Sequence, residues 1–110
     1  AFMPTHQEID QRSLALHRLV ADKIRADTGL MGEAEAVLRR WYQLASPRTF
    51  AYLDDWHRLL QSGVEPCLAV ATEDSERAAA LRQASPLACL LSNQERFAFL
   101  KDWRLHHATQ

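Results

Sequence analysis

Few residues in this chain could do chemistry, and their spacing decides what each of them is suited to. Asp54, Asp55 and His57 fall within one helical turn, and a carboxylate three residues before a histidine is a pairing found in di-metal sites of helical bundles. Such a centre needs matching ligands on a second helix. The nearest offer is Asp10 with His17, two helical turns apart, and residues 30–45 contain no histidine. A solvated acidic edge beside a half-buried His57 is therefore expected, with no metal and no other cofactor. His106 and His107 adjoin where a helix end favours positive charge. Cys67 and Cys89 lack C-x-x-C spacing and read as free, buried thiols of a reduced cytoplasm. Gly29, Gly32 and Gly63 are too scattered for a phosphate-binding loop, and no nucleophile-elbow pattern occurs. No catalytic residue is assigned, and the reading is of a protein that binds without turnover.

The charge balance narrows the class of partner. Thirteen Lys and Arg against fourteen Asp and Glu give a net charge of −1, without the basic excess on which phosphate recognition rests. Hydrophobic residues at 47% and charged residues at 25% suit one globular domain, and 110 residues suffice for one core. No apolar run approaches the roughly 18 to 20 residues that span a bilayer, and the N-terminus lacks a signal pattern. A cytoplasmic protein without a membrane partner is expected.

The elements that must position these residues are all helical. Thr5-His6-Gln7-Glu8 fits a capping box, so a first helix starts near His6, with Ile9, Ser13, Leu16, Val20 and Ile24 as its stripe. Asp27-Thr28-Gly29 ends it, with Gly29 expected in the left-handed conformation and Thr28 as the next cap. A second helix, Leu30 to Ala45, places Leu30, Ala34, Val37, Leu38, Trp41 and Ala45 on one side and pairs Glu35 with Arg39. Ser46-Pro47 opens a third that Ser62-Gly63 stops, and Pro66 opens a short fourth, Cys67 to Ala71. Asp74 or Ser75 caps a fifth, running to about Gln83. Ser85-Pro86 starts one or two buried turns, Leu87 to Leu91.

Ser92-Asn93-Gln94-Glu95 repeats the capping box and launches a last helix whose Phe97, Leu100 and Trp103 face the core, with Phe99 on a flank. These signals predict an all-α, compact bundle of about five to seven helices, on the order of 70% helical. Residues 1–5 read as a flexible leader and residues 6–110 as a single domain.

Aromatic residues give the functional expectation. Trp41 and Tyr42 are adjacent and cannot both sit at the centre of one stripe, and exposed Trp, Tyr and Arg dominate protein interfaces. Arg39, Arg40, Tyr42, Tyr52 and Trp56 are thus the candidate contacts to a protein partner or a second copy. The alternative is a DNA-binding regulator in which residues 75–105 act like a helix-turn-helix and Asn93, Gln94 and Arg96 read base edges. Glu95 and Asp102 oppose it, because they repel phosphate.

The segments Asp74-Ser75-Glu76-Arg77, Leu81-Arg82-Gln83-Ala84-Ser85-Pro86, Leu91-Ser92 and Glu95-Arg96 join Leu16-His17-Arg18 and Ile24-Arg25-Ala26-Asp27 in a pattern. That pattern, over most of the chain, resembles a group of short bacterial proteins, some of them similar to the neutralising partner of toxin–antitoxin pairs. The resemblance implies a regulatory, antitoxin-like role exerted on a protein partner, and it carries over no catalytic residue. The chain departs from antitoxins that join a DNA-binding fold to a disordered tail.

Overall fold

The computed structural model describes residues 6–107, which form α1 (His6–Ala26), α2 (Leu30–Leu44), α3 (Phe50–Gln61), α4 (Val64–Ala71), α5 (Glu76–Arg82) and α6 (Asn93–His107). Two 3₁₀ segments, Pro47–Thr49 and Pro86–Leu90, open α3 and join α5 to α6. The expected leader lies outside the described residues. Helix, the 3₁₀ segments included, accounts for 84% of the described residues, above the expected share, because the joints between helices are only a few residues long.

Helix α1 sits against α4, α5 and the Pro86–Leu90 segment, so its buried face is wider than a single stripe. Leu16, Val20 and Ile24 are buried as their spacing predicts. The first half differs: Ile9 is 40% exposed, and the buried positions there are Leu14 and His17. Contact with α5 on a second side draws in this neighbouring line of residues.

The joint between α1 and α2 corrects the expectation for Gly29. Its φ is −60°, a right-handed value, and no side chain caps α2. Instead the Asp27 carboxylate accepts the Gly29 N–H at 3.1 Å and turns the chain directly into the next helix. A Cβ on Gly29 would lie 3.2 Å from that carboxylate oxygen, so the glycine serves a close approach. Among the described residues it is Gly63 that has positive φ, 108°, and α4 begins immediately after it, two residues before Pro66.

The core gathers around Trp56, which is 0% exposed. Leu53 and Leu60 of α3 pack with Ala34 and Leu38 of α2, Val20 and Ile24 of α1, Cys67 and Leu68 of α4, and Leu81 and Leu87 beyond. The Trp56 Nε1–H donates to the Leu81 carbonyl at 2.9 Å. That carbonyl lies in the last turn of α5, where it also accepts the Ala84 N–H at 3.3 Å, so the ring both fills the core and ties α3 to α5.

The sequence gives several caps correctly. Ser75 accepts the Ala78 N–H and Ser85 the Leu87 N–H, each at 3.1 Å. At the start of α6, the Ser92 N–H donates to Glu95 Oε1 at 2.8 Å and the Glu95 N–H donates to Ser92 Oγ at 3.1 Å. This reciprocal box satisfies two backbone donors at once.

Candidate interaction surfaces

The five candidate contacts do not form one surface. Trp56 must be withdrawn from the set, because a fully buried ring donating to Leu81 cannot meet a partner. Its position in α3, four residues before Leu60 and three after Leu53, already places it on the core side. Tyr42 is half-buried: its hydroxyl donates to Asp54, its ring meets Phe50 edge-on at 5.5 Å, and burial together with Asp54 pushes its pKa up to about 12. Trp41 is also half-buried, so the adjacent rings straddle the core.

Arg39 and Tyr42 line a small cleft of about 160 Å³ between α2 and α3, with Glu35, Leu38, His57 and Gln61. Here the Gln61 amide donates to Glu35 at 3.4 Å, in place of the expected Glu35–Arg39 pair. Arg39 and Arg40 are both exposed, yet consecutive helical positions point about 100° apart, so they serve different flanks of α2. Tyr52, 50% exposed, belongs to a groove of about 390 Å³ on the other flank of α3, lined by Leu59, Val70, Ala80 and Leu81 with Asp55, Arg58 and Arg77. Arg58 pairs with Asp55, and Arg77 lies 3.6 Å from Glu73.

The acidic and histidine positions diverge as well. Asp54 takes the Tyr42 hydroxyl, Asp55 takes Arg58, and His57 lies exposed in the cleft with Glu35. No group of three His, Cys, Asp or Glu is placed to hold a metal ion among the described residues. Burial raises the Cys67 thiol to about 11 and keeps it protonated. Cys89 is exposed, contrary to expectation, on the Pro86–Leu90 segment, and both cysteines are free.

Helix α6 departs furthest from expectation and supplies the surface that spacing alone missed. It contributes no buried residue. Phe97, expected to face the core, is 72% exposed, as is Leu105. Only Phe99, expected on the flank, packs against the core cluster. The reason lies in how α6 is anchored. Lys23 of α1 donates to Glu95 Oε1 at 2.5 Å and to the Leu90 carbonyl at 2.9 Å, and Arg96 donates to the Ala88 carbonyl at 2.6 Å. Glu95, Phe99 and Arg96 lie on one side of the helix, so these contacts turn Phe97 outward. The Lys23 ammonium, then the Ser92 backbone, hold the Glu95 carboxyl down at about 2.

No known protein family, curated protein or solved structure matches this chain. The surfaces must therefore be read from their own chemistry. Beyond Phe99, an aromatic ladder runs along α6: Phe99 and Trp103 stack with centroids 6.2 Å apart, and Trp103 and His107 at 3.5 Å. The outer side of the helix holds Phe97, Lys101, Arg104 and Leu105, all exposed. Of the base-reading candidates, Asn93 and Gln94 are exposed, whereas Arg96 is half-buried and committed to Ala88.

Two buried polar side chains, His17 of α1 and Arg82 of α5, lie on helices that pack together. His17 is 1% exposed and donates from Nδ1 to the Ser13 carbonyl at 2.8 Å, which leaves Nε2 without a partner among the described residues. Burial lowers its pKa to about 4 against the Ser13 bond, and the nearby Arg82 cation lowers it further. Arg82, 5% exposed, donates to the carbonyls of Ala71 at 3.1 Å and Glu73 at 2.8 Å, placing a cation at the C-terminus of α4. Its guanidinium pKa is lowered by burial, with Asp10 and Asp74 opposing.

Proposed function

We propose that the protein is a small cytoplasmic interaction module, regulatory or antitoxin-like, that binds a protein partner or a second copy and acts by occlusion, without turnover and without a cofactor. The observation that carries this reading is α6: a helix held at its start by Lys23, Ser92 and Ala88, yet carrying Phe97 and Leu105 each 72% exposed and reaching the core through half-buried Phe99. Anchored at its first turn, the helix presents these apolar side chains at set positions along one side. Pre-fixing them reduces the entropy lost when a partner covers them. Arg39, Arg40 and Tyr52 remain exposed contacts on α2 and α3 in this proposal, and Tyr42 contributes its ring edge at the cleft. No described helix is long and apolar enough to cross a membrane.

The test is affinity capture from the native cell with wild-type protein and with a Phe97→Ser, Leu105→Ser variant. A stoichiometric protein, resistant to nuclease and lost in the variant at an unchanged thermal melt, supports the reading. Retention of the same protein by the variant removes α6 as the contact.

The exposed side chains of Asn93 and Gln94 at the start of α6 favour a second reading, a DNA-binding regulator using the α5–α6 half. It would show as a mobility shift that weakens steeply with salt and is lost on Asn93→Ala, Gln94→Ala.

A further inference from the structure

The charges around the exposed apolar residues of α6 say more about the partner than the apolar residues do. At about 100° per residue, Arg104, Phe97, Lys101 and Leu105 occupy one contiguous sector of the helix. The carboxylates of α6 are elsewhere and engaged: Glu95 with Lys23 and Ser92, and Asp102 with His106 at 3.3 Å. Lys101 and Arg104 make no ion pair or hydrogen bond with any other described residue. The sector therefore carries cations and apolar groups, with neutral Gln94 at its N-terminal end and no carboxylate, in a chain whose net charge is −1.

We propose, resting on the interaction reading above, that the outer sector of α6 docks an acidic amphipathic helix of a partner protein, its apolar side chains on Phe97 and Leu105 and its carboxylates on Lys101 and Arg104. A second copy fits this sector poorly. Lys101 lies midway between Phe97 and Leu105, so a symmetric pairing of two α6 helices over that stripe sets ammonium against ammonium. An acidic helix turns the same position into an attraction. The helix is 15 residues long, about 22 Å, so a contact confined to it is small and the association is transient. Because the cations lie at an exposed site, the attraction weakens as salt screens it.

The experiment uses the full chain and a fluorescein-labelled amphipathic peptide of about four helical turns, with Leu on one face and Glu beside it, against the same peptide with Lys for Glu. Parallel arms offer duplex DNA, phosphatidylglycerol vesicles and sedimentation of the protein alone. The acidic peptide is expected to bind roughly tenfold or more tightly than the basic one, with affinity falling as salt rises. Lys101→Glu with Arg104→Glu should invert that preference. Lys101→Gln with Arg104→Gln, which adds no acid near the helix C-terminus, should abolish it at an unchanged melt.

Equal binding of both peptides, a preference untouched by these variants, or tighter binding to duplex or vesicles overturns the proposal. Self-association through Phe97 and Leu105 also overturns it, while leaving the wider interaction reading intact. Loss of the captured protein in the serine variant, together with indifference to the charge variants, separates the two in the same way.

Discussion

His17 makes the stability of this domain depend on pH in a calculable way. Its pKa falls from the usual 6.5 to about 4 because the imidazole is buried against α5 beside Arg82. A base with a depressed folded-state pKa binds its proton more readily in the unfolded chain, so stability is complete above pH 6.5 and drains as pH falls towards 4. Integrating between pH 7 and pH 4.5 gives a loss of roughly 2 to 3 kcal/mol from this residue alone, within the order of magnitude such shifts allow. Urea titrations at the two pH values read it directly, as a fall in midpoint of about 1 to 2 M for a slope typical of a small domain. His17→Leu keeps a similar volume and cannot titrate. The difference between wild type and variant should therefore change by that amount across the range, other groups cancelling. Identical pH dependence in the two proteins, or a wild type that gains stability towards pH 4.5, would refute the assignment of His17 as a neutral core residue.

The remaining expectations rest on single contacts. Trp56→Phe removes the donor to Leu81 and leaves space around a smaller ring, and should cost about 2 to 4 kcal/mol in urea unfolding. Gly63→Ala forces a side chain to φ 108° and should cost about 1 to 3 kcal/mol, whereas Gly32→Ala, which meets nothing within 4 Å, should be neutral or stabilising. In the native protein one thiol, Cys89, should react quickly with a disulfide reagent, and Cys67 only after denaturant is added. Glu95→Gln removes the carboxylate shared by Lys23 and Ser92, and should loosen the first turn of α6, seen as faster amide exchange at residues 93–97 with little change in α3.

Boundaries were legible because they are local. Ser75, Ser85, and Ser92 with Glu95 each satisfy backbone groups within a few residues, and Gly63 turns the chain through its own positive φ. What depended on distant partners was not legible. Spacing identified an apolar line through Phe97, Leu100 and Trp103, yet the rotation of α6 is set by Lys23, 72 residues upstream of Glu95, and by the Ala88 carbonyl. Arg82 is held by the carbonyls of Ala71 and Glu73, eleven and nine residues upstream, and no local signal marks that burial. His17 pairs with Asp10 at ligand-like spacing, yet its place on a face shared by two neighbours makes it core. The candidate contacts fared unevenly for the same reason: Trp56 sits between Leu53 and Leu60, whereas Tyr52 lies on the rim of that face.

The central claim is that a partner protein covers the outer side of α6, and a photo-cross-linking amino acid placed at Phe97 tests it in the native cell. One discrete, nuclease-resistant adduct at position 97, with none from the same probe at exposed Arg12, is the result this account predicts. Adducts of equal yield at both positions, or an adduct to nucleic acid at position 97, would contradict it.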